Sequence, residues 1–440
     1  MMRQVKTKPG ILEGIPHEEY TEFRGVPYAQ PPVGKLRWHR PLPLEPWEGV
    51  RSAAHFPNRS MQEVHEDPFY GKEFYDEAAY MTPISEDSLY LNIWTPAKSA
   101  GEKLPVAFWI HGGAFMGGFG HEKEFDGAAY CRRGVILVTV NYRLGPWGFL
   151  AHPWLSAEAG AEGGPAVSGN YGILDQIAAL RWVRENIGVF GGDPENITIF
   201  GQSAGGMSVQ TLVTSPLTRG SIARAVLQSC VGLSYDHDLR SAEELGVQFA
   251  RNAGAESLEQ MRALTPEQVF AAAGPIIMAG FPKMELPYTP IQDGWVLTEG
   301  YDQAMNGGGT HPIPTIVGST LNDIATEREA VERGERGKVY AGSLAWAEAE
   351  KRHGRPVWFY DFRRQLPGDE AGAFHSSELW YMFGTLDRCW RPLTEGDRAL
   401  SERMLDYWTN FMKTGDPNGE GLPRWEAFPT TGYAAVFDVK

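Results

Sequence analysis

The sequence predicts an α/β fold with a mostly parallel central sheet and helices on both of its faces. Short apolar runs alternate with segments of helical period along most of the 440-residue chain. Several of these runs are almost wholly apolar, as expected of strands that are buried on both faces. Hydrophobic residues make up 42% of the chain, which is enough for a large core.

Eight segments are predicted as strands and three as helices. The strands are predicted at residues 89–94, 106–110, 135–141, 196–200, 224–228, 315–318, 357–362 and 434–437. Helices are predicted at residues 173–187, 204–212 and 398–413. The last helix is expected to end before Gly415 and Pro417, two residues that commonly follow helices.

A single domain is predicted over residues 1–440, because no linker separates independent units. Two looser insertions interrupt the α/β pattern. Residues 53–84 read as a long loop or a small helical insertion, and either a mobile amphipathic lid or a packed wall fits their composition. Residues 236–290 carry helical patterns and then a proline-rich stretch at 275–290. We expect both insertions to wall a binding site.

Charge and cysteine content limit the classes of partner. The net charge of −15 argues against nucleic-acid binding, and it serves either solubility or the attraction of cationic substrates. The three cysteines have no metal-ligand or CxxC spacing, which favours a reducing compartment. No signal-peptide pattern or membrane-length apolar run is present. A cytoplasmic protein without a stable membrane anchor is therefore expected.

A small-residue turn follows the predicted strand at 196–200. Gly201, Ser203 and Gly205 form a Gly-x-Ser-x-Gly pattern, and a predicted helix begins immediately afterwards. A serine on such a strand-to-helix turn has a strained backbone and needs small neighbours two residues away on each side. Its hydroxyl is then exposed at a helix N-terminus, where negative charge is favoured. The alternative interpretation is an ordinary glycine-rich connection, since the pentapeptide alone is a weak signal.

A glycine-rich loop, His-Gly-Gly-Ala-Phe-Met-Gly-Gly at residues 111–118, follows the predicted strand at 106–110. Such a loop can direct backbone N–H groups at a single point, as stabilisation of an oxyanion requires. The amide of Ala204, just after the serine, would add a further donor. A phosphate-binding loop is the alternative, but the GxGxxG order and a following Lys-Ser/Thr pair are both missing.

The sequence resembles the type-B carboxylesterase (cholinesterase-like) family, and within it bacterial para-nitrobenzyl-esterase-type enzymes. The resemblance covers about residues 23–416, and it is carried by long runs at residues 23–34, 85–96, 141–145, 170–176 and 190–196. It implies the α/β-hydrolase fold and a serine carboxylesterase acting on a small-molecule ester through an acyl-enzyme, without a metal or organic cofactor. Whether the chain is a monomer or a homodimer stays open.

The resemblance also implies the remaining site residues. Asp323 lies in the run that matches the family's acid segment, where a glutamate is usual, and His375 matches the family's His-x-x-Glu-Leu run. Ser203, His375 and Asp323 are thus the expected nucleophile, base and acid, with Glu327 as a second candidate for the acid. The oxyanion donors carried over are the amides of Gly113, Ala114 and Ala204. Ser229 matches a supporting serine near the acid, and Arg37 and Glu86 match a structural ion pair.

Some residues depart from the family pattern. Ser88 replaces a disulfide cysteine of secreted relatives, and Gln202 replaces the usual glutamate before the nucleophile. The interval between Asp323 and His375 is short, which predicts a shallower site. Asp323 as a turn or cap residue and His375 as a surface residue remain alternatives, as do a non-catalytic binding protein and a lipase, thioesterase or amidase with the same triad.

Overall fold

A ten-stranded sheet forms the centre of the computed structural model, which describes residues 3–63, 67–233, 237–280, 285–324, 326, 328–428 and 434–439. In chain order the strands are β1 (Gln4–Lys6), β2 (Ile11–Glu13), β3 (Ile15–Pro16), β4 (Thr21–Pro27), β5 (Val50–Ser52), β6 (Tyr90–Thr95), β7 (Leu104–Ile110), β8 (Ile136–Val140), β9 (Gly192–Gln202), β10 (Arg224–Gln228), β11 (Thr315–Thr320), β12 (Val357–Phe362) and β13 (Ala435–Phe437).

The large sheet runs in the order β13-β12-β11-β10-β9-β7-β8-β6-β4-β3. The strands from β13 to β8 are all parallel to one another. The edge strands β6, β4 and β3 pair antiparallel. A separate small sheet joins β1, β2 and β5. The carboxyl ends of the parallel strands therefore meet along one edge, where α/β proteins place their sites.

Helices connect and cover the strands. They are α1 (Pro68–Phe74), α2 (Ala128–Arg132), α3 (Gly145–Phe149), α4 (Pro153–Ala161), α5 (Tyr171–Asn186), α6 (Ala204–Thr214), α7 (Leu239–Asn252), α8 (Leu258–Arg262), α9 (Pro266–Gly280), α10 (Tyr301–Gly307), α11 (Arg328–Glu332), α12 (Lys338–Arg352), α13 (Leu379–Phe383) and α14 (Glu395–Thr414). Short 3₁₀ helices lie at Gly34–Leu36, Ile187–Phe190, Pro216–Thr218 and Leu386–Arg388.

The core lies on both faces of the large sheet. Alternate residues of β7 point to opposite sides, so Phe108 and Ile110 join one apolar cluster while Ala107 and Trp109 join the other. The first cluster includes side chains of α5, α6 and α12. The second includes α2, α13 and α14. The predicted architecture, a mostly parallel sheet between two helical layers, is confirmed.

All eight predicted strands and all three predicted helices are present, with ends displaced by a few residues. Helix α9 extends through Pro275 to Gly280, into the proline-rich stretch at 275–290. Proline disfavours a helix interior, yet Val269, Ala273 and Ile276 are buried on this helix. Packing against α3 and α7 outweighs the local preference.

The two insertions differ in what they contact. Residues from the first, 53–84, lie against the glycine-rich loop and the chain around His375. In the second, Phe270 of α9 packs against Trp147 of α3 with ring centroids 4.7 Å apart. Arg37 and Glu86 form the expected ion pair, and Arg37 also donates to the carbonyl of Leu264. Within the described ranges, no helix has the length and apolar character needed to cross a bilayer.

Candidate active site

Ser203 lies at the turn between β9 and α6, as the sequence predicted. Its φ and ψ are 57° and −128°, a conformation that residues other than glycine rarely adopt. A Cβ atom placed on Gly205 would lie 2.0 Å from the carbonyl oxygen of Ile110 in β7. The packing of this turn against β7 thus requires glycine at position 205 and holds Ser203 at the end of the sheet.

The glycine-rich loop after β7 runs beside this serine. Gly113, Ala114 and Phe115 all have positive φ, of 99°, 56° and 59°. Ala114 therefore adopts a backbone conformation typical of glycine. The amides of Gly113, Ala114 and Ala204 have no hydrogen-bond acceptor among the described residues. Gly113 and Ala114 line the same cavity as Ser203, so donors are available beside the hydroxyl.

Asp323 and His375 come together although 52 residues separate them. The Nδ1 atom of His375 lies 2.6 Å from Oδ1 of Asp323, and both side chains are buried. Asp323 follows β11, and its carboxylate also accepts the amides of Thr320 and Ile324. These backbone bonds orient the carboxylate toward the imidazole. Glu327, the second candidate for the acid, lies outside the described residues.

The environment of Asp323 keeps it ionised. Burial alone would raise the pKa of this carboxyl, but its interactions with His375 and the neighbouring Ser229 hydroxyl and Ile324 amide lower the pKa below the ordinary value. Ser229 follows β10, next to β11, and has a positive φ of 49°. An ionised Asp323 fixes the proton of His375 on Nδ1, which leaves Nε2 as an acceptor.

Gln202 occupies that acceptor. Its Nε2 atom lies 3.1 Å from Nε2 of His375, and no hydrogen bond joins Ser203 to His375 within the described part of the chain. The hydrogen bond between a catalytic serine and its histidine is often long in unliganded enzymes and tightens when substrate binds. Gln202, one of the residues at which this sequence departs from the family pattern, is therefore in direct contact with the candidate base.

A cavity of about 390 Å³ opens above Ser203 and His375. Aromatic and apolar side chains make up much of its wall, among them Phe74, Tyr75, Phe119, Phe125 and Leu379. The described part of the 236–290 insertion contributes no lining residue, so its role as a wall stays a prediction. The 53–84 insertion contributes several lining residues. The space suits a small organic ester with an apolar part.

Three buried carboxyls around this cavity were not singled out from the sequence. Burial raises the pKa of Glu122 to about 7, and it raises that of Glu124 well above the ordinary value. Burial and then the charge of Asp323 raise the pKa of Glu378 to about 7. Glu378 belongs to the His-x-x-Glu-Leu run that identified His375, so that motif could have flagged it. No comparable pattern marks the other two carboxyls.

Known proteins resemble this chain along almost its whole length. The carboxylesterase family model matches residues 2–338 and 337–440. The chain belongs to the carboxylesterase family. A fumonisin B1 esterase of Sphingopyxis macrogoltabida is 39% identical to this carboxylesterase over 98% of the chain and 85% of the relative. The para-nitrobenzyl esterase of Bacillus subtilis (strain 168) is 33% identical over 96% of the chain and 92% of the relative.

Solved structures show the same relationship for this carboxylesterase. A thermophilic PNB esterase superposes with a TM-score of 0.86 at 31% identity, covering 100% of this chain and 96% of that one. A Geobacillus stearothermophilus carboxylesterase reaches a TM-score of 0.81 at 34% identity, covering 99% and 96%. The predicted α/β-hydrolase fold and carboxylesterase activity are thereby confirmed.

Proposed function

We propose that this carboxylesterase hydrolyses small-molecule esters with Ser203 as nucleophile, His375 as base and Asp323 as acid. The observation that carries the proposal is the arrangement of a strained serine beside three amides without acceptors, in one cavity with an imidazole that is 2.6 Å from a buried carboxylate. Acyl transfer needs these groups: a nucleophile, a proton acceptor and donors for the oxyanion.

The proposed reaction has two halves. His375 Nε2 takes the hydroxyl proton as Ser203 attacks the ester carbonyl, and the amides of Gly113, Ala114 and Ala204 bind the oxyanion. The alcohol leaves with the proton from His375, and an acyl-enzyme remains. Water then gives a proton to His375 and attacks the acyl group, and His375 returns that proton to the Ser203 oxygen as the acid leaves. The Gln202 amide must give way for Nε2 to receive the first proton.

Substitution at the three positions tests these roles. Ser203→Ala is expected to lower kcat on a nitrophenyl acetate by roughly 10³-fold or more and to abolish labelling by a fluorophosphonate. Asp323→Asn should also cause a large loss, because it no longer fixes the imidazole tautomer. Glu327→Gln is the matched control and should retain activity. Near-native turnover by Ser203→Ala would refute the assignment of the nucleophile.

The substrate class is proposed from the cavity and the relatives. The volume and the apolar wall of the cavity favour small esters over long acyl chains. A panel from acetyl to dodecanoyl nitrophenyl esters, with and without micelles, separates an esterase from a lipase, while matched thioesters and amides test for thioesterase and amidase activity. Fumonisin B1 belongs in the panel, because a relative that is 39% identical is named as its esterase. Failure to turn over any ester would favour a non-catalytic binding protein.

We also propose that residues 1–440 form one domain and that the protein works in the cytoplasm without nucleic-acid partners. Cys131, Cys230 and Cys389 are all free, which supports a reducing compartment. The acidic net charge supports the absence of a nucleic-acid partner. Limited proteolysis that released a stable fragment would contradict the single domain.

A further inference from the structure

Helix α1 of the 53–84 insertion lies directly on the loop that carries His375. The hydroxyl of Tyr70 donates a hydrogen bond to the main-chain carbonyl of His375 at 3.3 Å. The ring of the preceding residue, Phe69, meets the ring of Phe374 edge to face, with centroids 5.0 Å apart. Two neighbouring residues of one short helix thus contact two neighbouring residues of the histidine loop.

The histidine loop has little regular structure to hold it. It connects β12 to α13, and Ser376, immediately after the histidine, has a positive φ of 80°. Asn322 pairs with Ala373 through its own amide and its side chain. Among the described residues, Tyr70 is the hydrogen-bond donor to the carbonyl of His375. Because buried carbonyls require a partner, this hydroxyl helps to define the position of the loop backbone.

The helix that supplies the hydroxyl is itself firmly anchored. Glu73, whose exposed fraction is only 1%, accepts hydrogen bonds from Trp380 at 2.9 Å, Trp390 at 2.7 Å and Arg391 at 3.1 Å. At the other end, Asp67 caps the first turn by accepting the amides of Phe69 and Tyr70. A seven-residue helix has little stability alone, so these contacts keep it folded in place.

We propose that Tyr70 is a positioning residue that sets the height of His375 above Ser203 by holding the main-chain carbonyl of the histidine. The proposal rests on the proposed function, since it assigns a role in presenting the base. Burial keeps the pKa of the Tyr70 phenol above its ordinary value, so the group stays a donor through the working pH range. Helix α1 then acts as a fixed brace of the site, and its contacts with the histidine loop favour the packed wall over the mobile lid.

The variant Tyr70→Phe removes the hydroxyl and keeps the ring. We expect kcat per titrated active site to fall about fivefold, with KM unchanged within twofold, because one hydrogen bond of this length contributes about 1 kcal/mol, or roughly fivefold in rate. The second-order rate of inactivation by a fluorophosphonate should fall by the same factor. Tyr80→Phe is the matched control, since Tyr80 lies in the same insertion but does not line the cavity.

Four outcomes decide the proposal. Equal losses for a nitrophenyl acetate and a nitrophenyl butyrate, at unchanged Tm, support it, because a displaced base affects every ester. A loss only in the titrated fraction of active sites overturns it in favour of a purely structural role. A change in KM for one ester alone overturns it in favour of a direct substrate contact. A kcat within twofold of the wild type also overturns it, whereas a wild-type protein that no fluorophosphonate labels at Ser203 would refute the proposed function instead.

Discussion

The two halves of the candidate site are built in different ways. The serine half lies where β9 turns into α6, and backbone packing fixes it, because the turn touches β7 so closely that position 205 has no room for a side chain. The histidine half lies in an irregular loop, and contacts from side chains of the first insertion and of Asn322 and Asp323 hold it. Substitutions in the first half should therefore cause steric clashes and large losses of stability and activity. Substitutions in the second half should cause partial losses.

Gly205→Ala is expected to disrupt the serine half of the site. The added Cβ would lie 2.0 Å from the carbonyl oxygen of Ile110, so the first turn of α6 would have to move away from β7. We expect the free energy of unfolding to fall by about 4 kcal/mol and activity to disappear. Urea denaturation measures the loss. Gly274→Ala in α9 is the control, since a Cβ there meets nothing within 4 Å and should be neutral or stabilising. Equal stability of the two variants would contradict the steric account.

Glu73→Gln tests the contacts that anchor α1, the helix that lies on the histidine loop. The carboxylate accepts from two indoles and from Arg391, and an amide would turn a donor toward one of these donors. Arg391 keeps its pair with Asp369, so its charge stays compensated. We therefore expect a moderate loss of about 2 kcal/mol in the free energy of unfolding. Glu77→Gln, at an exposed position of the same insertion, should change stability by less than about 0.5 kcal/mol.

The same contrast explains what the sequence could predict. The parallel strands, the turn at Ser203 and the loop at 111–118 follow from apolar runs and glycine placement, which act over a few residues. His375 and Asp323 required the family resemblance, since eleven histidines and fifty-five acids offer no local choice. The strands of the small N-terminal sheet escaped prediction because each has only three residues.

The contacts that hold the histidine half could not be predicted from the sequence at all. Tyr70 is 305 positions from His375, and Glu73 is 307 positions from Trp380. Neither pair belongs to a repeating pattern of strands or helices. Only the way the chain folds back over the sheet brings such side chains together, so single-sequence periodicity contains no trace of them.

Glu378 should make the stability of the histidine half depend on pH, and this is the smallest of the expected effects. Burial and the charge of Asp323 raise the pKa of Glu378 to about 7 from an ordinary value of 4.5. Between these two values the unfolded chain releases its proton while the folded protein keeps it, so the free energy of unfolding falls as pH rises from about 4.5 to 7. Above pH 7 the contribution is fully lost.

The variant Glu378→Gln removes this titration, so its stability should fall less steeply over the same window. Between pH 4.5 and 7, the free energy of unfolding of the wild type should fall by about 1 to 2 kcal/mol more than that of the variant. The upper limit of this difference is set by about 1.4 kcal/mol for each unit of pKa shift. Glu48→Gln, at an exposed position, is the control and should follow the wild type. Some slope should persist in Glu378→Gln, because the pKa of Glu122 is also raised to about 7. Parallel curves for Glu378→Gln and wild type would mean that Glu378 is ionised in the folded protein, and the histidine half would then contain a second negative charge behind Asp323.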